Sequence, residues 1–193
     1  ARCRIGLSPD ARIVLSFGNI RNYKGLDCLI RALAKTRDDV PSVHLLIVGQ
    51  LWTKWSKYQS LIESLGLTEN ITTVLKYIPM SEVSQYFVAS DVVVLPYHTF
   101  DAQSGVGNIA LAYSMPLVVT RVGGLPELVR DERALVEPDD PEDLSRALKI
   151  LKNEVETWLD GDDELETMNL RVEYKETKVD YLQRTLTSIT NRS

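Results

Sequence analysis

Six short runs of β-branched and aliphatic residues, separated by amphipathic segments, most strongly limit the folds open to this 193-residue chain. Several runs are apolar without interruption, which is typical of strands buried on both faces of a parallel sheet. The segments between them carry apolar residues at i, i+3, i+4 and i+7, and so predict helices that pack on a sheet. This alternation predicts an α/β fold, a Rossmann-like doubly wound parallel sheet of about six strands. The predicted strands are residues 13–17, 43–48, 71–75, 91–95, 117–120 and 134–136.

The last part of the chain shows a different pattern. Residues 162–189 lack a strand signal and keep a helical stripe of apolar residues, after a turn-like Asp-Gly-Asp-Asp at residues 160–163. We therefore predict a Rossmann-like domain at residues 1–160. A long C-terminal helix at residues 161–193 would pack across this domain or towards a further domain. Because the chain begins Ala1-Arg2-Cys3 without Met, we expect a piece of a longer protein.

Composition excludes several functional classes. With 22 Lys and Arg against 27 Asp and Glu, the net charge is −5, which argues against a nucleic-acid partner. The chain has two Cys and two His without closely spaced ligands, so we expect no metal site. No apolar run approaches the roughly 20 residues that span a bilayer, and we predict no transmembrane segment. No signal peptide is visible, and a cytoplasmic location is expected.

The loop after the first predicted strand contains two cations. Ligands of open parallel sheets bind at the carboxyl ends of the strands, where such loops lie. Arg21 and Lys24 stand three residues apart just before a predicted helix, and Gly25 permits close approach of the backbone. The residues alone leave two interpretations open, an anion site and a solvated loop with two surface cations.

Glycines follow the fourth and fifth predicted strands. Gly105 and Gly107 would free backbone N–H groups at a helix start, a common device for binding phosphate. Residues 105–110 also match the dinucleotide fingerprint G-x-G-x-x-G/A, but eight residues separate the match from Pro96, whereas the fingerprint should follow its strand directly. No acidic residue ends the next strand, so we do not predict NAD binding. The paired glycines of residues 121–127 form either a plain turn or a third wall of one site.

Histidines and aromatic residues give weaker signals. His44 lies inside an apolar run and is predicted to be a core histidine, whereas His98 lies in a candidate site loop and stays open. Trp52, Trp55 and Tyr58 would either stack on a base or sugar or pack under a helix.

Three segments together resemble the C-terminal domain of family 4 (group 1) retaining glycosyltransferases. They are VLSFGNIRNYKGL at residues 14–26, PLVVTRVGGLPE at 116–127 and ALVEPDDPEDL at 134–144. The resemblance covers about residues 5–150 in the family's order and spacing. It implies a GT-B enzyme, in which two Rossmann-like domains face each other across a cleft. This chain would be the domain that binds the nucleotide-sugar donor, and the acceptor would bind mainly to a missing N-terminal domain.

The resemblance also implies roles for individual residues. Arg21 and Lys24 would neutralise the donor diphosphate, although many members place the arginine at the position of Asn19. Asp101 replaces the first of two family glutamates and would contact the sugar, while Ile109 replaces the second, which hydrogen-bonds the ribose. The implied catalytic residues are therefore Arg21, Lys24 and Asp101. The implied binding residues are Gly18, Tyr77, Ile78, Gln103, Ser104, Gly105, Val106, Asn108, Ile109 and Glu127.

The predicted function is transfer of a hexose from a nucleotide-diphosphate sugar to a glycan, lipid or small molecule. A UDP-sugar is expected in preference to a GDP-sugar, with no metal and no further cofactor. Any membrane association is expected to be peripheral and to involve the missing half. The isolated domain is expected to be inactive. Two alternatives stay open, a non-catalytic nucleotide-sugar-binding relative, suggested by Ile109, and a GT-B nucleotide-sugar 2-epimerase.

Overall fold

A computed structural model describes residues 2–157, with side chains to residue 150. The chain consists of two compact units, residues 1–152 and residues 153–193. The sheet and the candidate site described below belong to the first unit. The C-terminal helix predicted at 161–193 lies outside the described residues. Six parallel strands form one sheet, which confirms the predicted fold. The strands are β1 (Arg12–Phe17), β2 (Val43–Val48), β3 (Ile71–Val74), β4 (Val92–Leu95), β5 (Leu117–Thr120) and β6 (Leu135–Val136).

The strand order is β3-β2-β1-β4-β5-β6. After β1 the chain adds β2 and β3 on one side, and then adds β4, β5 and β6 on the other side of β1. In β1, Leu15 pairs with Leu46 of β2 on one side and with Val93 of β4 on the other. In doubly wound sheets the switch point, here between β1 and β4, opens a crevice at the carboxyl ends of the strands. The order therefore predicts a ligand site beyond the end of β1.

Five α-helices within residues 2–157 cover the two faces of the sheet. On one face, the helices that follow β1, β2 and β6 pack against side chains such as Val14 and Leu45, whereas the helices that follow β3 and β4 pack on the other face against Ile13 and Leu15. Successive strand residues thus alternate between two cores, as the continuous apolar runs require. The helices are α1 (Leu26–Arg37), α2 (Ser56–Ser64), α3 (Met80–Ala89), α4 (Gly105–Ala112) and α5 (Pro141–Thr157).

Local sequence accounts for the starts of α4 and α5. The Oδ1 atom of Asp140 accepts the N–H of Asp143 at 2.9 Å, and Pro141 begins α5, so a capping residue is followed by a proline preorganised for a helix. At α4, the Oγ atom of Ser104 accepts the N–H of Gly107 at 3.2 Å. Across residues 2–157, no helix is both long enough and apolar enough to cross a bilayer.

Candidate nucleotide-sugar site

A cavity of about 540 Å³ lies beyond the carboxyl ends of the strands around the switch point. Its walls come from the loops after β1, β2, β3 and β4, together with the first turns of α4. A cavity of this size is typical of small-ligand sites. Nine of the residues predicted from the sequence line it, namely Gly18, Arg21, Lys24, Tyr77, Ile78, Ser104, Gly105, Val106 and Ile109.

The loop after β1 brings two cations to the cavity through a tight turn. Asn22–Lys24 form one turn of 3-10 helix, and Gly25 follows in the left-handed region at φ 63°. A Cβ atom at Gly25 would lie 1.8 Å from the carbonyl oxygen of Pro96, so glycine is required there by both conformation and space. Lys24 and Arg21 consequently line the cavity with Gly25 packed behind them.

Lys24 carries the most unusual electrostatics of the site. Burial, followed by the nearby charge of Arg21, lowers the pKa of Lys24 from 10.5 to about 8. Its Nζ atom lies 5.3 Å from the centre of the Tyr97 ring. A desolvated ammonium group facing a second cation is stabilised by an anion that binds between them. These two side chains therefore favour a ligand with at least two negative charges.

The N-terminus of α4 supplies backbone donors. Ser104 caps the helix, and Gly105 and Val106 line the cavity at its first turn. The first N–H groups of a helix have no partner within it and carry the positive end of its dipole. Gly107 packs against Leu128, since a Cβ there would lie 2.4 Å from a Leu128 methyl group. This end of α4 offers donors to an anion beside Lys24.

An aromatic cluster forms the wall between Lys24 and α4. Tyr23 and Phe100 stack at 6.2 Å between ring centres, and Tyr97 meets both edge-on. The Tyr97 hydroxyl lies 3.5 Å from the Oγ atom of Ser104. Burial raises the pKa of Tyr97 to about 12. Tyr97 therefore stays neutral and contributes a ring face and a hydroxyl rather than a charge.

The loops after β2 and β3 form the opposite wall. Gly49 adopts φ 147°, and a Cβ atom there would lie 2.0 Å from the carbonyl oxygen of Gly18, so the first two loops touch through glycine backbone. Gln50 lines the cavity beside them. Tyr77 is 69% exposed and Ile78 is buried, and both line the cavity. Tyr77 therefore presents its ring to solvent at the rim, while Ile78 forms part of the apolar wall.

Four predicted residues lie outside the cavity lining. Asp101, Gln103, Asn108 and Glu127 are all exposed.

The loop after β5, residues 121–127, packs against another loop of the site. A Cβ at Gly123 would lie 1.9 Å from the carbonyl oxygen of Phe100, so residues 121–127 brace the loop that carries Phe100 and do not form a wall of the cavity.

Sequence reasoning missed several lining residues. Gly49 and Gln50 directly follow β2, and the rule applied to the first, fourth and fifth loops would have found them there. Phe17 ends β1, and the other missed aromatic residues lie in loops that the sequence did single out, namely Tyr23, Tyr97 and Phe100. An aromatic residue at such a position carries no sequence signal that distinguishes a cavity wall from core packing. Asn19 also lines the cavity.

The structure also shows the surroundings of the two histidines, His98 and His44. His98 lies outside the cavity lining, with Nε2 3.3 Å from Asp27 and Nδ1 against Asp139. His44 is half-buried and contacts the Thr72 hydroxyl through Nε2 at 2.8 Å, and burial lowers its pKa.

Among the aromatic residues left undecided by the sequence, Tyr58 lies on α2 and is fully buried in the core that α1 also covers. The ring of Trp55 packs on that of Tyr58, with 5.6 Å between ring centres. Trp52 is 58% exposed and covers the Arg21 guanidinium.

Comparison with known proteins identifies relatives whose similarity extends over all six strands of the sheet. The family model described as glycosyl transferases group 1 matches residues 11–154. The D-inositol 3-phosphate glycosyltransferase of Segniliparus rotundus is 32% identical over 135 residues, covering 68% of this chain and 30% of that protein. The protein of the same name from Streptomyces griseus subsp. griseus is 34% identical over 161 residues, covering 77% and 33%. The chain spans about a third of the length of these curated relatives.

Solved structures share the fold. Sucrose-phosphate synthase from Thermosynechococcus elongatus superposes with a TM-score of 0.69 at 24% identity, over 100% of this chain and 49% of that one. Anabaena HepE in complex with UDP and glucose gives a TM-score of 0.68 at 22% identity, over 97% and 50%. At this level of identity the likeness concerns the fold.

Proposed function

This chain belongs to the group 1 glycosyl transferases, and from that membership we propose that it is the donor-binding half of a retaining glycosyltransferase. The full-length protein would transfer a hexose from a nucleotide-diphosphate sugar to an acceptor. One observation carries the proposal: Lys24 and Arg21 share a cavity of about 540 Å³ with the N-terminus of α4. Two cations and a helix N-terminus together match the charge of a diphosphate.

The same groups suit the chemistry of transfer. Breaking the bond between sugar and diphosphate develops negative charge on the leaving phosphate. Preorganised cations and N–H donors stabilise such charge without reorganising during the reaction. The lowered pKa of Lys24 indicates an ammonium group without enough compensating charge, which a departing diphosphate would supply. In this proposal Arg21 and Lys24 do the neutralising that a metal ion does in other enzymes. Asp101, exposed beside the cavity, would approach the sugar once a donor is bound.

We propose a uridine nucleotide as the donor's leaving group. Anabaena HepE, which shares the fold, was solved in complex with UDP-glucose and with UDP and glucose. Tyr77 and Ile78 line the cavity from the loop after β3, which lies on the other side of β1 from β4 in the strand order. A base would therefore lie by the loop after β3 when the diphosphate lies at α4. The acceptor is proposed to bind through a further domain, because the chain spans only about a third of its curated relatives. Independence from metal and a cytoplasmic location remain predictions from the sequence.

A second candidate is a relative that binds a nucleotide sugar without transferring it. Ile109 favours this candidate, because it lines the cavity where the resemblance expects a glutamate that holds the ribose. An apolar side chain there offers no hydrogen bond to a hydroxyl group.

Calorimetric titration of residues 1–193 with UDP, GDP and ADP tests the donor site. We expect UDP to bind, and Lys24→Ala to weaken binding by about 10- to 100-fold through loss of a charge-assisted hydrogen bond. Lys35→Ala is the matched control, because Lys35 is exposed on the last turn of α1 and pairs with Glu142 outside the cavity. Absence of binding of all three nucleotides at millimolar concentration would contradict the proposal.

Assay of the full-length protein separates the two candidates. Transfer or slow hydrolysis of a UDP-sugar supports the enzyme, whereas UDP binding without either activity supports the binding protein. For residues 1–193 alone we expect donor binding without transfer.

A further inference from the structure

The loops after β1 and β2 remain paired beyond the ends of their strands. The N–H of Ile20 donates to the carbonyl of Gln50 at 2.8 Å, and the N–H of Trp52 donates to the carbonyl of Ile20 at 3.0 Å. Ile20 and Leu51 form a parallel bridge between these two bonds. This pairing fixes the backbone of Trp52 relative to the residue after Ile20, which is Arg21.

The side chain of Trp52 covers the Arg21 guanidinium. The Cζ atom of Arg21 lies 4.3 Å from the centre of the indole ring, within the range of a cation–π interaction. Trp52 is nevertheless 58% exposed, so burial of its own apolar surface does not account for its position. Within residues 2–157, the contact with Arg21 is the only cation–π or ring contact that the Trp52 side chain makes.

Arg21 has no carboxylate partner within residues 2–157, whereas four of the other nine arginines in that range have one. Arg121 pairs with Glu132 and Arg146 with Asp143. A carboxylate binds the N–H donors at the edge of a guanidinium, which are the same donors that a phosphate uses. An aromatic ring instead contacts the flat face of the group and leaves all five N–H donors free.

We propose that Trp52 is a positioning residue that holds Arg21 ready for the donor diphosphate. This inference rests on the proposed function, because it assigns Trp52 a role in the same site. An arginine side chain has many rotamers and loses entropy when a ligand fixes it. Stacking on an indole whose backbone is hydrogen-bonded to the arginine's own loop restricts those rotamers before the ligand arrives. It does so without neutralising the charge that the ligand needs.

Titration of residues 1–193 with UDP and with inorganic pyrophosphate tests this role in a double-mutant cycle. We expect Trp52→Ala to weaken both ligands by about 5-fold, in line with an exposed cation–π contact. Trp52→Phe, which keeps a ring face, should recover most of the affinity. In an Arg21→Ala background, Trp52→Ala should change affinity by less than about twofold, because its partner is already absent. Val88→Ala, which removes exposed apolar surface on α3, controls for non-specific effects.

The outcomes separate this inference from the proposed function. Wild-type protein that binds neither UDP nor pyrophosphate overturns both. Wild-type protein that binds while Trp52→Ala binds equally well overturns only the role of Trp52. Equal weakening by Trp52→Ala with and without Arg21 also overturns it, because the indole would then act on the ligand or the fold directly.

Discussion

The Nζ atom of Lys24 lies 5.3 Å from the centre of the Tyr97 ring. Lys24 has no carboxylate partner within residues 2–157, and Tyr97 is uncharged. Burial favours the uncharged form of both, so it lowers the pKa of Lys24 to about 8 and raises that of Tyr97 to about 12. The free protein thus keeps an ammonium group in an environment that suits it poorly. Such a group gains stability when an anion binds.

Replacement of Lys24 by Met is expected to stabilise the free protein while weakening UDP binding by about 10- to 100-fold. The pKa of Lys24 is lower in the folded chain, about 8, than the ordinary value of 10.5, so protonation at pH 7 favours unfolding. Removing the charge should raise the free energy of unfolding at pH 7 by up to about 3 kcal/mol. Urea denaturation measures this gain. Since the wild-type penalty disappears as pH rises from about 8 to 10.5, the difference between the two proteins should shrink over that window. A constant difference would show that packing, not charge, is responsible.

UDP binding is expected to take up protons near pH 8. A diphosphate favours the charged form of Lys24 and so raises its pKa in the complex. Affinity should fall as the pH rises above about 8, where the free protein loses the Lys24 proton. Calorimetry at pH 8 in two buffers of different ionisation enthalpy measures the uptake. In Lys24→Arg, whose side chain stays charged, uptake and the fall in affinity should both vanish. Uptake that persists in this variant would assign the proton to another group.

Gly25→Ala is expected to destabilise the fold severely. Gly25 has φ 63°, and an added Cβ would lie 1.8 Å from the carbonyl oxygen of Pro96, so both strain and overlap oppose the change. We expect a loss of about 3 kcal/mol or more in the free energy of unfolding. Gly66→Ala is a matched control, because Gly66 has φ 62° and no atom within 4 Å of the added Cβ. It should lose only about 1 kcal/mol. Equal losses in urea denaturation would show that the contact with Pro96 is unimportant.

Sequence patterns were sufficient for the sheet because burial on both faces leaves a strong signal. A run such as residues 92–95 must be apolar at every position when alternate residues enter two different cores. The location of the cations was also predictable, since Arg21 and Lys24 stand between a predicted strand and a predicted helix, although their spacing alone left an anion site and a solvated loop both open. Both predictions depend on neighbours along the chain, and such relations survive in a linear pattern.

Contacts between loops left no comparable signal. The stacking of Trp52 on Arg21 depends on hydrogen bonds between two loops about 30 residues apart, which no local pattern records. Glu127 illustrates the opposite case, because the resemblance assigned it to the site and the structure leaves it exposed outside the cavity lining. Glu127 belongs to the loop after β5, and the packing of Gly123 on the backbone of Phe100 fixes where that loop lies.

Ile109→Glu is expected to tighten UDP binding. Ile109 is half-buried and lines the cavity on α4, at the position where the resemblance expects a glutamate that bonds the ribose. A carboxylate accepting a ribose hydroxyl would add about 1.5 to 3 kcal/mol, which is roughly 10- to 150-fold in affinity. Inorganic pyrophosphate, which has no ribose, should not share the gain, and the new negative charge should weaken its binding slightly. Ile109→Leu keeps the site apolar and should leave both affinities near those of the wild type. If Ile109→Glu weakens UDP as much as pyrophosphate, the ribose does not lie against this turn of α4. The binding-protein candidate would then lose the observation that favours it.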